Sequence, residues 1–149
     1  MAVASHGHLW RARDAAKVPT IGVLWHAGSA NEEQPFFDAL RKSFADLGYV
    51  EGQNIILEHR SPSEIPERFR SMLAELVAMK VDVLVSIAPA SFYAKDAIGA
   101  IPHVFVFVPD PVGSGFVESL ARPGGNTTGL AGLSQLTTTL GARRPAAAA

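Results

Sequence analysis

The residues of this sequence that could take part in catalysis or phosphate binding match few known motifs. Gly113-Ser114-Gly115 begins a Gly-x-Gly motif, but Glu118 stands where a dinucleotide-binding fingerprint needs its third glycine. Residues 26–29, after the first predicted strand, form no phosphate-binding glycine loop either. The Gly-x-Ser-x-Gly elbow of the α/β-hydrolases does not occur. The motifs therefore favour neither Rossmann nor P-loop binding, nor serine hydrolysis.

Metal and thiol chemistry also find little support. The 149 residues contain no cysteine, which excludes disulfides, thiolate catalysis and cysteine-ligated zinc. His6 and His8 are the only close pair among the five histidines, and no carboxylate ligand stands beside them. We therefore expect the histidines to be solvent-exposed, and we expect neither a metal nor another cofactor.

Composition sets further limits on the function. Thirteen Lys and Arg residues face 14 Asp and Glu residues, and the pI is near 6.5, which argues against a nucleic-acid partner. The longest apolar run, Val104 to Val108, is far too short to span a membrane. Hydrophobic residues make up 48% of the chain and charged residues 18%, which predicts one compact globular domain.

Apolar, β-branched runs alternate with segments of helical period from residue 18 onward, which is typical of βαβ units. Asn31 is a candidate helix cap with Gln34 three residues on, and Gly48 is a candidate left-handed cap at the end of that helix. Apolar residues with almost no polar interruption in residues 81–87 indicate a strand buried on both faces, as in doubly wound sheets. The predicted strands are 21–25, 54–60, 81–87, 104–108 and 127–133, and the predicted helices begin near residues 31, 65, 89 and 112.

The first helix carries apolar residues at spacings of four, four and three, which predicts one face directed at the sheet. They are Phe36, Leu40, Phe44 and Leu47. The third helix is expected to run from Pro89 to Ile98, and the fourth from Val112 to Leu120.

Ligands of such sheets bind beyond the carboxyl ends of the strands, where the strand order reverses. Helices that begin near Ala90 and Val112 would direct free N–H groups into that crevice, which suits a carboxylate or another anion. Ser91 can add a hydroxyl donor. Trp25 offers aromatic surface to a ligand or belongs to the core. Asp110 binds a ligand amine or orders its own loop as an Asx turn.

Several segments resemble the ABC transporter substrate-binding proteins of the tryptophan/tyrosine-binding type. They are residues 18–24, 47–54, 80–85, 110–115 and 121–130. The resemblance covers residues 18–134 and implies the first lobe of a type I periplasmic-binding-protein fold, an α/β three-layer doubly wound parallel sheet of about five strands in order 2-1-3-4-5. It also implies binding of a small amino-acid-like solute, delivery to an ABC permease, and no catalysis.

Carried over residue by residue, the ligand role falls on loops of the first lobe. The candidates by resemblance are His26, Ala90, Ser91 and Asp110, and Trp25 joins them from its place after the first strand. Two alternatives remain open: a flavodoxin-like small enzyme or nucleotide binder that uses the same crevice, and a truncated gene product without a transport role.

The two ends of the sequence lead to separate expectations. Residues 1–17 and 135–149 are expected to be disordered around a lobe at 18–134. The resemblance implies a periplasmic location, whereas residues 1–20 show no export signal and by themselves predict a cytoplasmic chain. An exposed hinge edge beside residues 127–133 predicts self-association.

Overall fold

Five parallel strands form one sheet in a computed structural model that describes residues 17–132. The sheet order is β2-β1-β3-β4-β5, which confirms the predicted doubly wound α/β fold. Val23 of β1 pairs with His59 of β2 on one side and with Val85 of β3 on the other. The elements in chain order are β1 Thr20–Leu24, α1 Gln34–Asp46, β2 Ile56–Arg60, α2 Pro66–Ala78, β3 Val83–Ile87, α3 Ala90–Ala94, β4 His103–Val108 and β5 Thr127–Ala131.

Helix α2 covers one face of the sheet because its apolar residues recur every three or four positions. Phe69, Leu73 and Leu76 are its buried residues, and they pack with Leu24 of β1. A Cβ atom added to Gly22 would lie 3.2 Å from a Leu76 methyl group, so glycine permits the close approach of α2 to β1. Helix α3 packs on the same face of the sheet.

Helix α1 covers the opposite face with an apolar stripe that differs from the predicted one. Phe37, Leu40 and Phe44 pack against the sheet, whereas Phe36 and Leu47 are 55% and 75% exposed. Phe36 and Leu47 were therefore wrongly assigned to the buried face.

The predicted cap at Asn31 is also wrong. Residues 29–32 form a turn, in which the Glu32 N–H bonds to the Ser29 carbonyl, and the helix begins only at Gln34 with Glu33 before it. Gly48 has φ 88°, which confirms the left-handed position at the end of α1.

Two predicted helices differ from the structure. Residues 112–120 form turns instead of a helix, because the N–H groups of Phe116 and Val117 both bond to the Pro111 carbonyl and Gly115 has φ 72°. Phe116 and Val117 are then buried against Phe105 of β4. Helix α3 ends at Ala94 instead of Ile98.

Some expectations fall on parts of the chain that the structure does not describe. The histidine pair His6 and His8, the segment 1–16 and the segment 135–149 lie outside the described residues. Within residues 17–132, every helix is too short or too polar to cross a bilayer.

Candidate functional site

The carboxyl ends of the strands lie at one edge of the sheet, where the following loops form a crevice. The loop after β1 leads to α1 on one face, and the loop after β3 leads to α3 on the other face. The strand order reverses between these two strands, which is where ligands bind in open α/β sheets. The strand order therefore has its reversal at the edge where the sequence predicts a ligand to bind, and the ligand role of these loops stays a prediction.

Trp25 follows β1 directly and is only 3% exposed. Its indole ring stacks on Phe37 with ring centroids 5.3 Å apart, and its Nε1–H donates to His59 Nδ1 at 3.0 Å. Burial is the main reason that the pKa of His59 is lowered, and neutral imidazole is the form that can accept this bond. Trp25 thus belongs to the core beneath the crevice.

Ala90 and Ser91 begin α3 and are fully buried. The Ser91 hydroxyl donates to the Ser86 carbonyl at 3.0 Å and accepts the Ser86 hydroxyl proton at 2.9 Å. His103 Nε2 lies 2.6 Å from the Ser86 hydroxyl oxygen. Because the Ser86 proton is committed to Ser91, Nε2 carries the proton and donates. The Ser91 hydroxyl is therefore used inside the fold.

His103 completes this buried network at the start of β4. It is 0% exposed, so the expectation of a solvent-exposed histidine is wrong here. Burial lowers its pKa to about 4, and the ring is neutral at physiological pH. A signal for this burial was present in the sequence, because His103 directly precedes the apolar run Val104 to Val108 and begins the same buried strand.

Asp110 stands in the exposed loop after β4. Its Oδ1 accepts the Gly113 N–H at 2.8 Å, and the Ser114 N–H bonds to its backbone carbonyl at 2.8 Å. A Cβ atom at Gly113 would collide with this carboxylate, so glycine permits the Asp110 side chain to take this position. Asp110 therefore orders its own loop, which is one of the two roles that the sequence left open. Its role in binding a ligand stays a prediction.

The loop after β1 carries a polar cluster around His26. The Glu33 carboxylate folds back from the start of α1, and its Oε1 accepts the N–H groups of His26 at 3.2 Å and Ala27 at 2.8 Å. His26 Nε2 lies 3.4 Å from the same oxygen, and His26 Nδ1 lies 3.4 Å from Glu64 Oε1. The imidazole thus stands between two carboxylates from different loops.

Backbone hydrogen bonds join the loops after β1 and β2. The Ser63 N–H donates to the Ala27 carbonyl at 3.1 Å, and the Glu64 N–H donates to the His26 carbonyl at 2.8 Å. Between them lies a cavity of about 510 Å³ lined by both loops and by Phe36. We call it the acidic cavity, because Glu32, Glu33 and Glu64 line it.

An apolar cavity of about 240 Å³ lies on the α1 face of the sheet, over the ends of several strands. We call it the apolar cavity. Phe36 lines both cavities, and its ring packs edge-on against Phe107 with centroids 5.5 Å apart. The residues that line the apolar cavity include Trp25, Phe36, Leu40, Ile87, Val106 and Leu130.

The predicted site residues do not form one cluster. Trp25, Ala90 and Ser91 are buried, whereas His26 lies in the acidic cavity and Asp110 lies in the loop after β4. Sequence reasoning missed Glu33, although two adjacent glutamates directly before a helix were a visible signal. The helix expected to begin at Val112 is absent from this part of the described chain, and with it half of the predicted anion site.

Within residues 17–132, no group of three or more His, Asp and Glu side chains has an arrangement that could hold a metal ion.

Sequence and structure comparisons relate the chain to known proteins. Residues 19–141 match the family model described as ABC transporter substrate binding protein. A tyrosine-binding protein of Clostridioides difficile is 32% identical over 121 residues, which are 78% of this chain and 34% of that protein. The chain thus spans about a third of the curated relative that it matches.

Three solved structures share the fold. An ABC domain in complex with L-Trp from Streptococcus pneumonia has a TM-score of 0.69 and 26% identity, over 77% of this chain and 39% of its own. A conserved domain protein from Vibrio cholerae has a TM-score of 0.67 and 30% identity, and the match covers 85% of this chain and 43% of that protein. The ligand-free, open structure of CD0873 from Clostridium difficile has a TM-score of 0.64 and 24% identity, and the match covers 87% of this chain and 45% of that protein. At this identity the similarity supports the fold alone.

Proposed function

The chain belongs to the family of ABC transporter substrate-binding proteins, and we propose that it binds an amino-acid-like solute at the carboxyl edge of its sheet. The family match favours this function over a flavodoxin-like enzyme or nucleotide binder with the same strand order. Proteins of this family bind solutes and do not catalyse reactions, and we propose the same for this chain.

The observation that carries the proposal is the joint match of sequence and fold to a domain solved with L-Trp. The curated tyrosine-binding relative points to the same solute class. In this chain the loops at this edge offer polar groups at the partly exposed His26 and the exposed Asp110, near a core that contains Trp25. Ala90 and Ser91 support the crevice from below as buried residues.

The partners follow from the family. We propose an ABC permease as the protein partner and a place on the outer side of the cytoplasmic membrane, in the periplasm of a two-membrane cell, as the working location. We propose no nucleic-acid partner, because the 13 basic residues are balanced by 14 acidic ones.

The experiment is a titration of the isotope-labelled chain with L-tryptophan, L-tyrosine and L-leucine, followed by NMR. We expect shifts at the backbone amides of residues 26–28 and 110–113. The described lobe presents one wall to a ligand, so we expect a Kd of roughly millimolar, as the loss of about 4 kcal/mol of contacts from micromolar binding would give. Shifts confined to other surfaces, or none at these concentrations, would contradict the proposed function.

Self-association is a second, separate proposal. Strand β5 is an edge of the sheet, and residues 128–131 of this strand are exposed. The strand carries neither a charge nor a proline, the usual devices that protect an edge. Sedimentation velocity should show a concentration-dependent dimer, and Thr128→Lys should reduce it. A monomer at all concentrations would contradict this proposal.

A further inference from the structure

Resting on the proposed solute-binding function, we propose that Lys95 is a positioning residue for the crevice. It stands directly after α3 and holds the segment after β4, residues 109–117, which we call the β4 loop. Through this loop it fixes the place of Asp110 at the carboxyl edge of the sheet. Lys95 acts on the solute only through the loop and makes no contact with it.

The contact between Lys95 and the β4 loop has two parts. The Lys95 Nζ donates to the Ser114 carbonyl oxygen at 2.7 Å, and the same nitrogen lies 5.7 Å from the centroid of the Phe116 ring. A charge-assisted hydrogen bond and a cation–π contact thus join one ammonium group to the loop. Lys17 and Lys42, by contrast, bond to aspartates at exposed positions. Lys95 therefore binds backbone of a neighbouring loop instead of forming a surface ion pair.

The β4 loop depends on such a contact because it contains no helix of its own. Its residues form turns, and Gly115 has φ 72°. The buried side chains of Phe116 and Val117 anchor the far end of the loop against Phe105. At the near end, four of residues 109–113 are exposed. Segments with few buried contacts open at a low cost in free energy, so the near end needs a link to the rest of the fold.

Two further hydrogen bonds connect the Lys95 contact to Asp110. The Ser114 N–H donates to the Asp110 carbonyl at 2.8 Å, and the Gly113 N–H donates to Asp110 Oδ1 at 2.8 Å. Lys95 holds the carbonyl of Ser114, and these neighbouring N–H groups orient both the backbone and the carboxylate of Asp110. Binding groups keep a productive geometry only when such supporting bonds hold them.

Helix α3 holds Lys95 from the other side. The Lys95 N–H donates to the Ser91 carbonyl at 3.0 Å, and the Ser91 side chain is bonded to Ser86 inside the fold. The Phe92 ring of α3 also packs edge-on against Phe116, with centroids 5.3 Å apart. Lys95 therefore connects the β4 loop to a buried, fully packed part of the lobe, and the loops after β3 and β4 form one unit.

The test compares the full wild-type chain with Lys95→Met, which removes the donor and keeps the apolar stem, and with Lys95→Arg, which keeps a charged donor. Hydrogen exchange without solute is followed by NMR at the amides of Gly113 and Ser114. Lys95 does not bond to either N–H group, so faster exchange there reports the loss of order around Asp110. We expect about tenfold faster exchange in Lys95→Met and recovery of most of the protection in Lys95→Arg. Unchanged exchange in Lys95→Met would overturn the proposal.

Solute affinity is measured on the same variants with L-tryptophan, L-tyrosine and L-leucine. We expect Lys95→Met to raise the Kd of the solutes that bind by about three- to tenfold, and Lys95→Arg to restore most of the affinity. Faster exchange at unchanged affinity would overturn the proposal. A loss of affinity that arginine does not restore would overturn it as well, because a second donor with the same charge can replace a positioning donor.

A control and a stability measurement separate positioning from folding. Lys42→Met removes an exposed lysine on α1 that bonds to Asp46, and it should change neither the exchange nor the affinity. The urea midpoint of Lys95→Met should fall by less than about 0.5 M, since one partly exposed hydrogen bond contributes little to stability. A fall of more than about 1 M, with faster exchange throughout the chain, would assign Lys95 to the fold and overturn the proposal.

The outcomes also separate this proposal from the proposed function. A wild type that binds none of the three amino acids contradicts the function, and the positioning role is overturned with it. A wild type that binds them at the crevice, with equal affinity in Lys95→Met, keeps the function and overturns the role of Lys95 alone.

Discussion

Two polar regions of the lobe differ in how their hydrogen-bonding groups are used. The Ser86–Ser91–His103 network is closed to solvent: its hydroxyls and His103 Nε2 bond to each other and to a backbone carbonyl, and His103 Nδ1 has no partner among the described residues. The acidic cavity is open to solvent at Glu32 and Glu64, whereas Glu33 Oε2 is buried and lacks a donor among the described residues. Each region thus contains a buried polar atom without a partner among the described residues, and the two differ in solvent access: the first is sealed within the fold, whereas the second borders water.

The largest expected difference between the two regions is in stability. His103→Ala should lower the free energy of unfolding by about 3 kcal/mol, because it leaves a cavity and removes the donor to Ser86. The same substitution at His26, which is partly exposed in the open region, should cost no more than about 1 kcal/mol. Urea unfolding of both variants measures this. Equal losses would remove the distinction between a closed and an open region.

The closed region should also produce a pH dependence. The pKa of His103 is lowered in the folded protein to about 4, so between about pH 6.5 and pH 4 the unfolded chain binds more protons. Stability is therefore complete above pH 6.5 and falls as the pH decreases through this window. The lowered pKa of His59 acts in the same direction.

A matched variant isolates the contribution of His103. Unfolding of the wild type and of His103→Gln should be compared at pH 7.5 and pH 5. We expect the wild type to lose more stability over this interval than the variant does. Parallel losses would show that other groups carry the pH dependence.

The smallest expected effects lie within the open region itself. Glu33→Gln should cost about 1–2 kcal/mol of stability, because it weakens two charge-assisted bonds to backbone N–H groups. Glu64→Gln, at an exposed side chain, should change stability by less than about 0.5 kcal/mol. Thermal unfolding checks both. A large loss for Glu64→Gln would show that this exposed side chain supports the fold.

The fold was predictable because its signals are local and agree with one another. The apolar residues of β3, interrupted only by Ser86, and the spacing of Phe69, Leu73 and Leu76 in α2 each predict burial. The resemblance to a known family then supplied the strand order. The turns at 112–120 were missed because Val112, Phe116 and Val117 have a helix-like spacing, whereas backbone bonds to Pro111 and the conformation of Gly115 stop the helix.

The candidate site was less predictable, because its contacts join distant parts of the chain. His26 was named from the resemblance to a known family, but its two carboxylate neighbours come from Glu33, just before α1, and from the loop after β2. Ser91 was named as a donor for a ligand, yet its hydroxyl bonds to Ser86 of β3, which in turn contacts His103 of β4. Side-chain orientation in such a network depends on packing that no single segment encodes.

The backbone ladder between the loops after β1 and β2 has a consequence for redesign. The bonds from Ser63 to Ala27 and from Glu64 to His26 use main-chain atoms only, so they do not depend on which side chains line the acidic cavity. A substitution at Glu64 can therefore alter the chemistry of the lining while the walls keep their spacing, whereas Glu32 also accepts hydrogen bonds from Gly28 and Ser29 of the loop after β1. A cavity whose walls are joined by main-chain hydrogen bonds can be adapted to solutes of different charge by single side-chain substitutions.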